Sequence, residues 1–331
     1  MTGAVLSLRD VKLDLKTPEG YVRILHDVSF DVAPGEIVGV VGESGSGKSM
    51  TALTVLQLLP PKARLTAAQI GFDGVDLATM PPRGLRGIRG KKIGMVFQDP
   101  MTTLDPVMQV GKQIDEAYRI HHPRAPRGEA RAKTLQMLRL VGVPDAENRA
   151  KQYPHQWSGG MRQRAVIAMA LVNDPRVIIA DEPTTALDAT IQAQVLDALI
   201  RARDELGVAV VLITHDLGII AQVASRVVVM YAGRVVEVAS TREIFADSRH
   251  PYSNALIESR PGAHRRGEPL TAIPGRPPLM ADLPPGCPFA PRCASPFKSE
   301  LCTAERPALE LSDDGRLSAC HYRNESQRMS A

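Results

Sequence analysis

An apolar run, Ile37-Val-Gly-Val-Val41, leads directly into Gly42-Glu-Ser-Gly-Ser-Gly-Lys-Ser49 and then into the helix-compatible segment Met50 to Leu59. Strand, glycine-rich loop and helix in that order form the setting of a phosphate-binding loop, G-x-x-x-x-G-K-S. Glycine lets successive backbone N–H groups turn inward on a phosphate chain. In this reading Gly42, Glu43, Ser44, Gly45, Ser46 and Gly47 wrap the phosphates, and Lys48 reaches the outer ones. Ser49 sets its hydroxyl on Mg²⁺, and Met50 continues into the helix, whose positive end adds to the attraction. The plain alternative is a Gly/Ser-rich turn that happens to contain a lysine. The loop implies ATP or GTP. It does not say what the nucleotide is for.

Composition excludes several uses for such a nucleotide. The 331 residues suffice for one large or two ordinary domains, and 44% are hydrophobic. The 40 basic and 36 acidic residues leave a net charge of only +4, against a protein built around nucleic acid. Aromatics are 4%, too sparse for a base-stacking surface. No apolar run reaches membrane-spanning length, and the first residues lack the order of a signal peptide. Residence on the cytosolic side is the expectation.

Short apolar bursts up to Val41, separated by turns at Thr17–Gly20 and Ala33–Glu36, predict an antiparallel β start before a buried strand. Further strands are expected near 68–72, 92–97, 176–180, 208–214, 226–230 and 234–238. Helical spacing predicts helices over 108–118, 129–141, 160–172, 189–206 and 217–224. The fold class is therefore α/β, a P-loop NTPase core with a parallel sheet, an antiparallel β subdomain and a helical insertion at about 104–172. Beyond Pro261 the periodicity fades into a Pro-, Gly- and Arg-rich appendage.

A Mg²⁺-nucleotide site needs an acidic partner at a neighbouring strand end. Val177-Ile-Ile-Ala-Asp181-Glu182 supplies one, with Asp181 in the Mg²⁺ shell and Glu182 orienting or deprotonating the attacking water. Gln98 ends another strand, placed to touch both metal and water, and His215 follows a third, facing the outermost phosphate. Each alone has a structural explanation; together they describe hydrolysis. Ser158, Gly159 and Gly160 open a further helix, a second anion-binding device. Two such devices so far apart suggest that each nucleotide is shared between two chains.

All four cysteines lie in the tail, spaced C-x5-C-x8-C-x17-C at Cys287, Cys293, Cys302 and Cys320. In a cytosolic chain this clustering points to a metal site more than to disulfides. A [4Fe–4S] cluster, one zinc ion or four free thiols all fit the spacing, with the cluster preferred.

With these motifs in place the chain resembles the ATP-binding subunits of ABC transporters, over about residues 4 to 255. The phosphate loop, the glutamine loop at Gln98, the signature Ser158-Gly-Gly-Met161, the strand end Asp181-Glu182, the loop Ala186-Leu-Asp188 and the switch histidine His215 follow the family's order. Trp157 and Met161 stand where leucine and glutamine are common. Val96 to Pro106, Tyr153 to Arg164, Pro251-Tyr-Ser and the cysteine tail look like the dipeptide/oligopeptide and nickel importer branch.

The resemblance implies an ATPase domain over 1–258 and an oligopeptide-transporter-type extension over 259–331. It implies ATP held between the phosphate loop of one subunit and Ser158, Gly159, Gly160 and Met161 of the other, with Asp188 facing the partner. Ser49, Gln98 and Asp181 would organise Mg²⁺ while Glu182, Gln98 and His215 serve catalysis. The partners implied are a related second ATPase, as a heterodimer more than a homodimer, two transmembrane permease subunits and an external solute-binding protein. Permease coupling would fall at about Asp99 to Ile114. The family's adenine-stacking aromatic aligns with Leu15, leaving Tyr21 as the substitute. DNA-repair or translation ATPases, exporters and nucleotide sensors are the rival classes; the single cassette, the tail, and Glu182 with His215 speak against them in turn.

Overall fold

The alternating apolar positions at the start of the chain become two long strands, Leu6–Thr17 and Gly20–Val32. Their buried residues change phase along the way: Leu6 and Leu8 give way to Val11 and Leu13, and Leu25 to Val28, Phe30 and Val32. The cause is Asp10 and Asp27, which adopt φ values of 50° and 52°. A residue in that region adds a step to the strand, so the inward set resumes one position late. From Leu6 to Leu13 and from Leu25 to Val32 the strands thus keep one face on the core across the break.

The computed structural model describes residues 3–185, 187–260 and 272–325. Ala186, expected in the partner-facing loop, and residues 261–271 of the Pro-rich stretch lie outside the described residues. The chain divides into two compact units: residues 1–6, 32–37 and 79–213, and residues 7–31, 38–78 and 214–331.

The first unit carries three parallel strands, Ile93–Val96, Val177–Asp181 and Ala209–Ile213. They pair in that spatial order, with Val96 opposite Ala180 and Asp181 opposite Ile213. Nearly all of their residues are buried, as parallel strands covered on both faces require. The helix Gly159–Leu171 lies so close to Gly94 that a Cβ there would meet the Ala170 carbonyl oxygen at 2.6 Å. The expected helical insertion contains Val110–His121 and Arg127–Leu140, with ends displaced by one to three residues from the periodicity-based bounds. Pro126 decides one of these limits, since its extended backbone puts the first helical residue at Arg127.

The second unit holds two sheets. In the antiparallel one, Leu6–Thr17 lies between Gly20–Val32 and Gln69–Phe72, with Arg64–Thr66 also paired to it. In the other, Arg226–Tyr231 runs parallel to Ile37–Val41 and antiparallel to Arg234–Ser240. The tail, expected as an appendage without periodicity, extends this sheet: Leu317–Ser318 pairs with Val238 and Glu237, and Glu310–Leu311 pairs with Leu317–Ser318. Two-residue strands carry too few positions for alternation to show in sequence, so only pairing reveals them.

Candidate nucleotide site and cysteine pocket

The phosphate loop belongs to the second unit. It leaves the buried strand Ile37–Val41 and ends on the helix Lys48–Val55. Gly42, Gly45 and Gly47 take φ values of 152°, 78° and 100°, so each requires glycine. Space imposes the same at two of them: a Cβ on Gly42 would meet the Met230 carbonyl oxygen at 2.2 Å, and one on Gly47 would meet Leu25 Cδ2 at 2.9 Å. Lys48 is buried and donates through Nζ to the carbonyls of Gly42 and Glu43 at 2.8 and 3.0 Å. The loop thus holds a lysine ammonium against its own carbonyls, ready to turn to anionic oxygens. Ser44, Gly45 and Ser49 are exposed, while Ser46 is buried.

Glu43 is braced in a way that its sequence neighbours do not announce. Its N–H donates to Tyr252 Oη at 2.8 Å, and its carboxylate meets Arg292 in a two-pronged ion pair at 2.6 and 2.9 Å. Both partners lie more than 200 positions away, so no local spacing could have found them.

His215 belongs to the same unit as the loop and is exposed. Its turn is rigidly built. Asp216 donates its N–H to Thr214 Oγ1 at 3.0 Å, and its carboxylate caps the helix Leu217–Val223, accepting from Gly218 and Ile219. Tyr21 is partly exposed, with the Arg64 guanidinium 3.7 Å from its ring centroid and Lys16 Nζ at 5.1 Å. Leu15 does not offer a ring, and Tyr21 already has a cation on its face.

The first unit carries the other catalytic candidates. Asp181 is buried at the end of its strand. Glu182 follows with φ 47°, a backbone region costly for a non-glycine residue, and its N–H is fixed on the Ile213 carbonyl at 2.9 Å. Its Oε2 accepts from Thr185 Oγ1 at 2.8 Å and from Gln98 Nε2 at 3.3 Å. Thr185 is a contact that sequence reading missed; the turn after Glu182 is its signal only in retrospect. Ser158 caps the helix Gly159–Leu171, accepting from Met161 N–H at 3.3 Å, and is exposed with Gly159. Gly160 is buried, and a Cβ there would meet Ile191 Cγ2 at 2.1 Å. Trp157 is buried just before it. Asp188 caps the helix Ala189–Leu206, accepting from Ile191 N–H at 3.0 Å.

The four cysteines line one cavity, together with His250, Phe289, Pro307 and His321. Cys287 is tied to Cys302 by a backbone bond of 2.8 Å. Burial pushes the Cys287 thiol up to about 11, Cys320 up to about 12 and Cys293 upward. None of the four forms a disulfide. Among the described residues no three His, Cys, Asp or Glu side chains stand close enough to hold one metal ion. The described residues thus present no preformed ligand set, either for a single zinc ion or for a cluster.

Comparison with known proteins agrees with this geometry. Residues 25–185 match the family model for ABC transporters, and residues 236–302 match the oligopeptide/dipeptide transporter C-terminal region. A probable peptide ABC transporter ATP-binding protein of Sinorhizobium fredii is 48% identical over 97% of this chain and 96% of its own. The dipeptide transport ATP-binding protein DppD of Bacillus subtilis is 47% identical over 96% of this chain and 94% of its own. Among solved structures, a dimeric ATP-binding cassette in a post-hydrolysis state with ADP and Pi superimposes with a TM-score of 0.64 at 29% identity, covering 72% of this chain and 99% of that one. Among the described residues no helix is long and apolar enough to cross a membrane. A phosphate loop, a strand-end carboxylate and a capped signature helix, matched across nearly the whole length of such relatives, mean that the chain belongs to the ATP-binding subunits of ABC transporters, in the branch that carries the oligopeptide/dipeptide C-terminal region.

Proposed function

We propose that this ATPase drives import of peptides, working beneath two permease subunits and paired with a related second ATPase as a heterodimer. The observation that carries the reading is the joining of a braced catalytic carboxylate, Glu182, to a chain with the oligopeptide/dipeptide C-terminal region. Residues 1–258 form the ATPase domain and 259–331 the extension. Lys48 and Ser49 serve the phosphates and Mg²⁺, with Gln98 and Asp181 as further ligands of the ion. Glu182 activates water and His215 serves the γ-phosphate. Ser158, Gly159, Gly160 and Met161 close on the partner's nucleotide, and Asp188 faces the partner. Tyr21 is the candidate adenine platform, and the Arg64 guanidinium 3.7 Å over its ring would have to share the ring with the base or give way to it.

The stretch Asp99–Ile114 is the permease-docking surface, on the cytoplasmic face of the membrane. Val107 supports this assignment, since it is 81% exposed on a turn otherwise anchored by Gln113 to Asp105 and Met108. An external solute-binding protein supplies cargo; dipeptides or longer peptides come first, with nickel complexes, glutathione and opines as the alternatives. Reconstitution of the complete transporter with its solute-binding protein tests this. Peptide-stimulated ATP hydrolysis is expected, and mass spectrometry of the ligand on the binding protein identifies the cargo. Stimulation by a non-peptide solute alone would reassign it.

The cysteine cavity is the proposed seat of a [4Fe–4S] cluster. All four cysteines line this one cavity, which supports the reading, since a cubane takes one thiolate at each iron. Anaerobic purification with iron and zinc analysis, and absorption at about 400 nm, decides it. Protein free of both metals would end the assignment.

A further inference from the structure

Glu43 is the second residue of the phosphate loop, and the extension reaches it directly. Arg292 Nη1 lies 2.6 Å from Glu43 Oε2 and Nη2 lies 2.9 Å from Oε1. The guanidinium is held elsewhere too: Nε donates to the Pro274 carbonyl at 2.8 Å, and Nη1 to Tyr231 Oη at 3.3 Å. Arg292 is only 6% exposed and directly precedes Cys293. Around it Tyr231, Tyr252 and Phe289 pack ring on ring, with centroids 4.5 to 5.4 Å apart. This rigid mount leaves the planar fork no freedom to be replaced by water.

Two effects on the loop follow. The first is geometric. Arg292 holds the Glu43 side chain and Tyr252 its N–H, so the Gly42 and Glu43 carbonyls that receive Lys48 Nζ are kept in place. The second is electrostatic. An unpaired Glu43 carboxylate would add a negative charge beside a loop meant for polyphosphate, and Arg292 cancels it. The pair is mostly withdrawn from solvent, so screening does not remove this effect.

We infer that Arg292 is a positioning residue for the nucleotide, through which the cysteine-bearing extension sets the affinity of the phosphate loop. By linkage, nucleotide in the loop steadies the extension to the same degree. The inference rests on the reading that Gly42–Ser49 holds nucleotide, and a Lys48→Ala control tests that reading separately.

The experiment titrates MgADP into the full-length protein. Arg292→Ala is expected to weaken binding about tenfold, the size of one partly screened charge. Arg292→Lys, which keeps the charge, retains most of the affinity. Adding Glu43→Gln to Arg292→Ala recovers most of the loss, because the stray carboxylate is gone. Hydrogen exchange over residues 284–294 slows with MgADP in the wild type and not in Arg292→Ala. Should Arg292→Ala fail to fold, Arg292→Gln with and without Glu43→Gln makes the same comparison. Wild-type affinity in the arginine variant overturns the inference. So does equal weakness of the single and double variants with a lowered melting temperature, which assigns Arg292 to folding alone. Absence of MgADP protection in the wild type also overturns it. If Lys48→Ala binds MgADP like the wild type, the loop reading fails, and this inference with it.

Discussion

Gln98 Nε2 donates to Glu182 Oε2 at 3.3 Å across 84 positions of sequence. The contact follows from strand register. Val96 lies opposite Ala180 in the parallel pair, so the residues just past both strands emerge at the same edge. Thr185 Oγ1 fixes the same oxygen at 2.8 Å, and the positive φ of Glu182 turns the carboxylate out of the strand line. A carboxylate so held is oriented before any water arrives, which is what general-base catalysis needs.

Glu182→Gln keeps the shape of this side chain and removes its basicity. It should retain ATP binding and lose turnover by roughly 10²- to 10⁴-fold. Nucleotide binding and phosphate release, measured side by side in the assembled transporter, check this; undiminished hydrolysis would sink the assignment.

Lys48→Ala removes the only ammonium resting on the loop carbonyls of Gly42 and Glu43 among their described contacts. Loss of a charge-assisted contact of about 1.5–3 kcal/mol corresponds to affinity lower by roughly ten- to a hundredfold. Equilibrium binding of MgATP is the measurement.

Gly160→Ala tests packing at the signature. The new methyl would sit 2.1 Å from Ile191 Cγ2, and overpacking of this kind destabilises by about 1–3 kcal/mol. Pairing it with Ile191→Ala should restore much of the melting temperature. Loss of ATPase activity that persists in the stable double variant would separate the signature's role from its packing.

His26 gives a pH signature. Burial, reinforced by Arg234, Arg306 and Arg23, holds its imidazole down to about 4 from the usual 6.5. The folded state thus refuses a proton that the unfolded chain takes up. The stability contributed is full above pH 6.5 and is lost as pH falls toward 4. His26→Gln should flatten this slope by about 1 kcal/mol between roughly pH 7 and 5, after allowance for solvent screening of a half-buried group. Thermal melts across that range report it.

Much of the candidate site was legible before any coordinates. The phosphate loop, Gln98, Asp181, Glu182, the signature and His215 each sit at the end of an element whose periodicity announces it. Glycine positions were legible for the same local reason: φ is a property of one residue. The breaks at Asp10 and Asp27 were not, because a bulge depends on the strand alongside. Nor were the two tail strands, which exist only through their pairing with Arg234–Ser240 and each other.

Sequence by itself determined that this chain binds a nucleoside triphosphate, because a strand, a loop and a helix in succession make a phosphate cradle from local backbone geometry. Tertiary structure alone decided what braces that cradle. Arg292 meets Glu43 from 249 positions away, and Tyr252 meets it from 209. A part-buried ion pair of this kind depends on where the chain returns and on what excludes water there, and neither is written in residue spacing. The four cysteines obey the same limit: their clustering was plain in sequence, but their gathering around one cavity, without the tight geometry of a single ion, is a property of the fold.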